Sequence, residues 1–400
     1  MMIIESKIDG VVARTCHPFG CKKALDDQIS YIKAATPIVD GPKKVLILGA
    51  SSGYGLASRI ALAFGGSRAD TIGVSFERPP SEKGVGTAGW YNNIFFREAA
   101  EREGMTAKNF VGDAFSPTLR QDVIRYIQEE FGGSVDMVIY SLATGVRPDP
   151  ETGEKLRSVI KPIGKGVSGA TINLEHDRLD EITLSPASEQ EVADTVRVMG
   201  GEDWQDWIGA LNSAGVLAKG CETLAYSYVG PSFTYDIYHD GTLGRAKDHL
   251  HASAETLTRK LRPIGGHAHV AVCKALVTKA SVFIPTFSPY ICALFKVMKA
   301  KELHEGCIEQ MHRLLVEKLY SEAGVVTDED HLIRLDDWEL RPDVQAEVAD
   351  ILDKVTSENF KNLTDYAGFK HDFMALNGFD LQGVDYTADV DITALTALRP

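Results

Sequence analysis

Blocks of apolar residues alternate with polar stretches along the chain, in an order that predicts buried strands, each followed by a helix. Residues 45–48 (VLIL) form a short continuous apolar run, which is typical of a parallel strand covered on both faces. The apolar positions in the following LASRIALAFG recur with the period of a helix, which would end at Gly65 and Gly66. Similar patterns predict strands at 70–77, 107–114, 135–143, 223–230 and 269–278, and helices at 90–103, 117–131 and 199–211.

Successive strand–helix units of this kind predict an α/β fold, with a Rossmann-type doubly wound parallel sheet and right-handed connections. The predicted Rossmann core spans residues 44–278 and is enlarged by an insertion and by extensions at both ends. A polar insertion at 146–198 interrupts this region before Tyr238, and its segments ATINLE and EITLS predict minor strands.

Two extensions flank the predicted sheet region. Residues 1–43 predict a hairpin or edge strand, then a turn at Pro18 and a helix. Residues 279–400 predict one or two amphipathic helices at 294–320 and a further helix near 344–356. No Gly/Ser-rich or Pro-rich linker divides the chain, so we expect residues 1–400 to form a single elaborated domain.

Composition narrows the class of protein. The chain has 400 residues, 44% of them hydrophobic, and a formal net charge of -14, which argues against nucleic acid or an anionic membrane as the main partner. No apolar stretch approaches the roughly 20 residues that span a bilayer, and the N-terminus has no signal-peptide pattern. The six cysteines are scattered, as expected for reduced thiols in a cytoplasmic protein. Cys16, His17 and Cys21 lie close together in sequence, but no second half of a metal site follows, so we predict no metal.

The turn after the first predicted strand has the composition of a dinucleotide site. Gly49, Gly53 and Gly55 follow the strand in the spacing G-x-x-x-G-x-G and open the next helix, where main-chain N–H groups can bind a pyrophosphate. Glu77 ends the second predicted strand, about 20 residues further on, where an acidic side chain binds a ribose diol. Its charge favours NADH over NADPH, although the neighbouring Arg78 could accept a 2′-phosphate.

A tyrosine and a lysine follow the fifth predicted strand. Tyr238 and Lys247 lie nine residues apart, with Gly241 and Gly244 between them, which predicts a loop at Tyr238 and a helix at Lys247. An ammonium near a phenol would lower the phenol pKa, and the same lysine could bind the nicotinamide ribose. A surface tyrosine and a solvated lysine would give the same spacing, but the end of this strand faces the cofactor crevice.

Several motifs together resemble the trans-2-enoyl-CoA reductase family, which includes the FabV-type enoyl-acyl-carrier-protein reductases. They are GASSGYGLASRI, SFERP, TAGWYNN, GDAFS, VIYSLA, VMGGEDWQ, LAYSYVG and the C-terminal GFDLQGVDY, and they extend over nearly the whole chain. The Y-x8-K spacing of Tyr238 and Lys247 is the family's, whereas ordinary short-chain dehydrogenases have Y-x3-K and FabI-type reductases Y-x6-K.

The resemblance implies NADH-dependent reduction of the C2=C3 bond of an enoyl thioester in fatty acid synthesis. The substrate would be an enoyl-CoA such as crotonyl-CoA, or an enoyl-acyl-carrier protein, with no metal and no flavin signature. Tyr238 and Lys247 would be catalytic, and Tyr228 and Phe295 would bind the substrate. The implied cofactor contacts are Gly49, Ala50, Ser51, Ser52, Gly53, Tyr54, Phe76, Glu77, Asp113, Ala114, Leu142, Ala143, Lys247, Leu276, Val277 and Thr278.

Other interpretations stay open at this point. Asp113 could bind the adenine amino group or equally close a turn. A short-chain carbonyl reductase would need a serine where Ala225 stands, and a non-catalytic NAD(H)-sensing protein would not need the Tyr238/Lys247 pair. The acidic composition suits acyl carrier protein poorly unless a basic patch formed by Lys296, Lys299 and Lys301 marks the mouth of the tunnel. The terminal extensions favour a monomer, because they could cover surfaces that smaller relatives use for assembly.

Overall fold

The computed structural model describes residues 2–82 and 84–400, and its centre is a seven-stranded sheet in the order β5-β4-β3-β6-β11-β12-β13. Every pairing in this sheet is parallel, and the order reverses direction between β3 and β6. The carboxyl ends of these two strands therefore border a crevice, the usual place for a ligand in such sheets. The sheet strands are β3 (Lys44–Leu48), β4 (Asp70–Ser75), β5 (Ala107–Val111), β6 (Val135–Tyr140), β11 (Leu217–Ser227), β12 (His267–Val272) and β13 (Leu332–Arg334).

Helices cover both faces of the sheet and continue into the C-terminal region. A π-helical turn at Leu314–Leu319 extends α10. The helices are α1 (Pro18–Ala34), α2 (Gly53–Phe64), α3 (Ala88–Arg102), α4 (Pro117–Glu129), α5 (Glu189–Met199), α6 (Glu202–Ser213), α7 (Tyr235–Tyr238), α8 (Thr242–Leu261), α9 (Phe287–Ala300), α10 (Cys307–Arg313), α11 (Pro342–Leu352), α12 (Phe360–Leu363), α13 (Tyr366–Ala375) and α14 (Ile392–Ala397).

The central strand β3 shows why the sequence pattern predicted it correctly. Val45 and Ile47 pack into the layer formed with α1, α2, α3 and α10, whereas Leu46 and Leu48 pack into the opposite layer with α4, α6 and α8. All four side chains are fully buried, and burial of each contributes about 1.5–3 kcal/mol. Both faces of the strand are therefore apolar, as in parallel sheets generally.

The predicted α/β sheet is confirmed, with corrections at the edges of its elements. The sixth predicted strand ends at Val272 rather than at residue 278, and the remaining residues form a loop at the crevice. The helix α1 begins at Pro18 itself, where a turn was predicted, because His17 caps it by accepting a hydrogen bond from the Gly20 N–H at 3.1 Å. The edge strand β13 was not predicted, since three residues carry too little periodicity.

The insertion forms two antiparallel hairpins, from β7 (Val146–Pro148) with β8 (Lys155–Arg157) and from β9 (Val167–Asn173) with β10 (Arg178–Leu184), followed by α5. The short strands β1 (Ile8–Asp9) and β2 (Val12–Ala13) form the predicted N-terminal hairpin. The second insertion hairpin reaches α9, because the Ile172 N–H donates to Ser288 Oγ at 2.8 Å. The insertion therefore packs beside the crevice. None of the helices in the described part of the chain is both long and apolar enough to cross a bilayer.

Candidate active site

The glycine turn after β3 is shaped by close backbone contacts. Gly49 has φ +90°, and a Cβ there would lie 2.3 Å from the Ser141 carbonyl oxygen. A Cβ on Gly55 would lie 2.1 Å from the Gly49 carbonyl oxygen, so the turn folds directly against the start of α2. This leaves the N-terminus of α2 open toward the crevice, where its N–H groups can bind a pyrophosphate. The turn therefore fits a dinucleotide.

Glu77 lies beside this turn, and its carboxylate is held in place. Glu77 Oε1 accepts a hydrogen bond from Ser51 Oγ at 2.5 Å, and Oε2 accepts one from the Thr87 hydroxyl. A Cβ on Gly89 would lie 2.0 Å from Oε1, so the carboxylate lies against the N-terminus of α3, which stabilises negative charge. A carboxylate has about four acceptor sites, so two stay available for a ribose diol. The preceding Phe76 is 80% exposed, next to this site.

Basic side chains lie close to Glu77. A cavity of about 210 Å³ is lined by Thr87 together with Arg14, Arg78 and Lys279. The cavity shares Thr87 with the Glu77 carboxylate, so positively charged side chains line the space beside this negative group.

The predicted contacts after β5 and β6 lie at the same edge of the sheet. Asp113 is exposed and its Oδ1 accepts a hydrogen bond from the Phe115 N–H at 2.9 Å, so this carboxylate closes a turn. Ala114 is buried, and its carbonyl oxygen accepts a hydrogen bond from Trp207 Nε1 at 3.1 Å. Leu142 is half-buried and Ala143 is exposed, both directly after β6. A contact of Asp113 with adenine stays a prediction.

A hydrogen-bonded loop after β12 forms another wall of the crevice. Ser281 Oγ donates to the Leu276 carbonyl oxygen at 2.6 Å and accepts a hydrogen bond from the Thr278 N–H at 2.8 Å. The Tyr54 hydroxyl donates to the Lys274 carbonyl oxygen at 2.9 Å, which ties the loop to α2. A Cβ on Gly53 would lie 3.9 Å from the Thr278 methyl group. The loop thus faces the glycine turn across the crevice.

Tyr238 is the last residue of the one-turn helix α7 rather than part of an open loop. Its ring contacts the rings of Tyr228 and Phe287, with centroids 4.5 Å and 5.2 Å apart. Within residues 2–82 and 84–400 the Tyr238 hydroxyl has no hydrogen-bond partner, so it is free to donate to a bound molecule. Burial, together with the charge of Glu339, raises the pKa of this phenol well above its usual value.

The prediction that Lys247 lowers the phenol pKa is therefore wrong for the protein without ligand. Lys247 Nζ donates to the Tyr226 carbonyl oxygen at 3.3 Å, so the ammonium group is directed at the backbone of β11. Burial lowers the pKa of Lys247 to about 8. The lysine is therefore still mostly protonated at neutral pH.

The predicted substrate residues belong to one apolar cluster. Tyr228 and Phe295 are buried in the same cluster as Leu276 and Val277, and Tyr238 packs against it. Phe295 lies on α9 and is fully buried. Its ring contacts the ring of His304, with centroids 4.4 Å apart. The structure thus brings the predicted substrate residues and two of the predicted cofactor contacts into one apolar cluster. Among the described residues, no three His, Cys, Asp or Glu side chains are grouped as a metal site.

Some polar residues of the crevice were missed by reasoning from sequence. Thr87 holds Glu77, Ser281 closes the loop after β12, and Glu339 accepts hydrogen bonds from Tyr228 and Tyr290. Glu339 is remote in sequence from its partners and lies in a polar stretch with no motif, so no local signal identified it.

Three family models match the chain. The NAD(P)H binding domain of trans-2-enoyl-CoA reductase matches residues 3–82, and the trans-2-enoyl-CoA reductase catalytic region matches residues 84–320. The enoyl reductase FAD binding domain matches residues 327–390. Together they leave only short stretches of the chain unmatched.

The relatives of known identity agree with these models. An enoyl-[acyl-carrier-protein] reductase [NADH] from Photobacterium profundum is 64% identical over 99% of this chain and 100% of its own. A trans-2-enoyl-CoA reductase [NADH] from Clostridium beijerinckii is 50% identical over 100% of both chains. The crystal structure of Clostridium acetobutulicum trans-2-enoyl-CoA reductase in complex with NADH matches with a TM-score of 0.97 and 50% identity, over 100% of both chains.

The residues of 327–390 do not fit a flavin, despite the name of the third model. This segment has three glycines, Gly368, Gly378 and Gly383. A Cβ on Gly368 would lie 2.3 Å from Asp365 Oδ2, and one on Gly378 would lie 2.4 Å from the His17 carbonyl oxygen. These two glycines pack against protein atoms rather than forming a turn open to a pyrophosphate.

These models and relatives match almost the whole length of the chain. The same chain contains the glycine turn, the Glu77 carboxylate bound by Ser51 and Thr87, and the Tyr238/Lys247 pair. The chain belongs to the trans-2-enoyl-CoA reductase family.

Proposed function

We propose that this chain reduces the C2=C3 bond of trans-2-enoyl thioesters with NADH, and that Tyr238 is the group that donates a hydrogen bond to the reacting thioester. One observation carries this assignment. The Tyr238 hydroxyl has no hydrogen-bond partner in the described structure, while its ring is fixed against Tyr228 and Phe287 beside the cofactor loop. When bound, NADH supplies the hydride that the β-carbon receives.

The protein groups then act on the charge that this reduction creates. Negative charge develops on the thioester oxygen as an enolate, and a phenol O–H aimed at that oxygen stabilises it, commonly by about 3 kcal/mol for one donor. A proton added to the α-carbon then returns the enolate to a thioester and completes the saturated acyl chain. The raised pKa of Tyr238 keeps its proton in place at neutral pH. Lys247, with a pKa of about 8, stays positively charged there and would bind the nicotinamide ribose hydroxyls.

Preference for NADH would come from Glu77. Its carboxylate is held by Ser51 and Thr87, so it cannot easily turn away from a 2′-phosphate. The basic side chains Arg14, Arg78 and Lys279 line the adjoining cavity and would weaken this repulsion without removing the carboxylate. We therefore expect discrimination between the cofactors to be strong but incomplete.

The carrier of the acyl group is the finer part of the proposal. The basic patch expected at the tunnel mouth is largely neutralised, because Lys299 pairs with Asp365 at 2.6 Å and Lys301 pairs with Glu347 at 2.8 Å. Electrostatic docking of an acidic carrier protein there would gain little. We therefore propose that the enzyme recognises mainly the acyl thioester itself and accepts enoyl-CoA as well as enoyl-acyl-carrier protein, as a monomer in the cytoplasm.

The test is NADH oxidation with crotonyl-CoA, with a long-chain enoyl-CoA and with the matching enoyl-acyl-carrier protein, each repeated with NADPH. We expect turnover with NADH on both carriers and a much lower rate with NADPH. NADH binding without turnover on any enoyl thioester would refute the proposal and favour an NAD(H)-sensing protein. Turnover of ketones or aldehydes, but not of enoyl thioesters, would identify a carbonyl reductase instead.

A further inference from the structure

A fully buried carboxylate lies behind the proposed substrate site. Glu339 is 0% exposed and lies between β13 and α11, in the segment matched by the FAD binding domain model. Its Oε1 accepts hydrogen bonds from the hydroxyls of Tyr228 at 2.8 Å and Tyr290 at 2.7 Å. Its Oε2 accepts one from the Ala275 N–H at 2.7 Å. Three hydrogen-bond donors hold this carboxylate, and none of the three carries a charge.

The three donors come from three different walls of the crevice. Tyr228 follows β11, Tyr290 lies on α9, and Ala275 belongs to the loop that carries the predicted cofactor contacts. Gln345 Nε2 donates to the Glu339 carbonyl oxygen at 2.7 Å and to Tyr290 Oη at 3.1 Å, which fixes the backbone at Glu339 as well. A single side chain therefore links the substrate wall to the cofactor wall.

The direction of these hydrogen bonds limits what Tyr228 can do. A phenol has one proton, and the Tyr228 hydroxyl donates it to Glu339 Oε1 at 2.8 Å. Toward the crevice Tyr228 can then act only as an acceptor. Tyr238, whose ring lies 4.5 Å from that of Tyr228, has its hydroxyl proton free. The two adjacent tyrosines are thus chemically different although both are phenols.

We infer that Glu339 is a positioning residue for the reaction, which holds Tyr228 in place and directs the Tyr228 proton away from the substrate, leaving Tyr238 as the donor. This inference rests on the proposed function. It also gives the C-terminal segment a role in the substrate site, in place of the flavin binding that the name of its family model suggests.

Glu339→Gln tests the inference with little change of shape. An amide has one acceptor oxygen and one NH₂ group, so it cannot accept from the Ala275 N–H on one side and from both phenols on the other. We expect kcat/KM for crotonyl-CoA to fall at least about tenfold, since small misplacements of reacting groups cost up to roughly a hundredfold. The Kd for NADH should change less than about threefold, because the glycine turn and Glu77 are untouched.

A double-mutant cycle separates positioning through Tyr228 from general loosening of the structure. In a Tyr228→Phe background there is no hydroxyl to direct, so adding Glu339→Gln should change kcat/KM by less than about threefold. An equal loss in both backgrounds, or a Glu339→Gln enzyme as active as the wild type, would overturn the inference. The wild type is assayed in parallel, and failure of the wild type itself would instead refute the proposed function.

Glu222, which lies on β11 six residues before Tyr228, supplies a matched control. Glu222 accepts a hydrogen bond from the Tyr320 hydroxyl at 3.3 Å, so Glu222→Gln removes a second tyrosine-bound carboxylate remote from the crevice. It should leave kcat/KM unchanged. If Glu339→Gln does not fold, the kcat values of Tyr228→Phe and Tyr238→Phe are compared instead. If Tyr228 acts only as an acceptor toward the substrate, the kcat of Tyr228→Phe should be at least about tenfold higher than that of Tyr238→Phe. Equal losses of kcat would show that Tyr228 also donates and would overturn the inference.

Discussion

Replacing Tyr238 by phenylalanine removes one hydroxyl and leaves the aromatic contacts with Tyr228 and Phe287 intact. In the described structure that hydroxyl has no protein partner, so its removal leaves no buried donor or acceptor unsatisfied. The free energy of unfolding should therefore stay within about 0.5 kcal/mol of wild type. Any loss of activity then reports on the reaction rather than on the fold.

The expected loss follows from the role of one oxyanion donor. Removal of such a donor commonly lowers kcat by about 10²–10³, or about 3 kcal/mol of transition-state stabilisation. We expect that range for kcat with crotonyl-CoA, measured as NADH oxidation, and a Kd for NADH within about threefold of wild type. Thermal unfolding confirms that the variant is folded.

Tyr235 supplies the matched control. It lies on the same one-turn helix, is 38% exposed and stacks on His239 rather than on the crevice residues. Tyr235→Phe should retain wild-type kcat. The reasoning would be refuted by a Tyr238→Phe enzyme with more than about a third of wild-type kcat, or by equal losses in the two variants.

Four further perturbations follow from the structure. Glu77→Gln should weaken NADH binding roughly tenfold and bring NADPH turnover closer to that with NADH, because a charged acceptor for the ribose diol is lost while Arg78 remains; titration with both cofactors measures this. NADH affinity should decline above about pH 8, where Lys247 loses its proton, and a Lys247→Met variant that keeps this pH dependence would contradict the assignment. Burial lowers the pKa of His304 to about 2, so below the ordinary pKa of 6.5 the unfolded chain binds more protons than the native protein. The free energy of unfolding should therefore decrease as the pH is lowered below 6.5, by up to about 1.4 kcal/mol per pH unit, and less steeply in His304→Leu. Thermal unfolding measured at a series of acidic pH values tests this. Gly49→Ala should lower the unfolding temperature, because its Cβ would meet the Ser141 carbonyl oxygen at 2.3 Å in a backbone with φ +90°, and an unchanged unfolding temperature would mean that the turn adjusts at no cost.

Local patterns were sufficient to predict six of the seven strands of the sheet. Continuous apolar runs predicted β3 and β6 because strands of a parallel sheet are covered on both faces, and helical periods predicted α2 and α4. The family and the cofactor could also be inferred from sequence, since the glycine turn and the Y-x8-K spacing are local motifs, and the comparisons confirm both.

Short or irregular elements were predicted less well. The strand β13 has only three residues, and α7 has a single turn, so neither shows a measurable period. The helix α1 begins at Pro18 because proline is favoured at a first helical position, although the same residue also occurs in turns, and sequence alone did not distinguish these cases.

The electrostatics of the crevice were decided by tertiary structure. The pKa of Tyr238 is raised rather than lowered, because burial and Glu339 act on it while Lys247 is directed at a carbonyl of β11. The hydrogen bond between Tyr228 and Glu339 joins residues 111 positions apart. Sequence periodicity reports which face of a strand or helix is buried, a property of near neighbours. Desolvation and hydrogen-bond direction depend instead on groups that only folding brings together. The sequence therefore determined six strands of the sheet, the cofactor and the family, while the fold decided which tyrosine hydroxyl is free to donate.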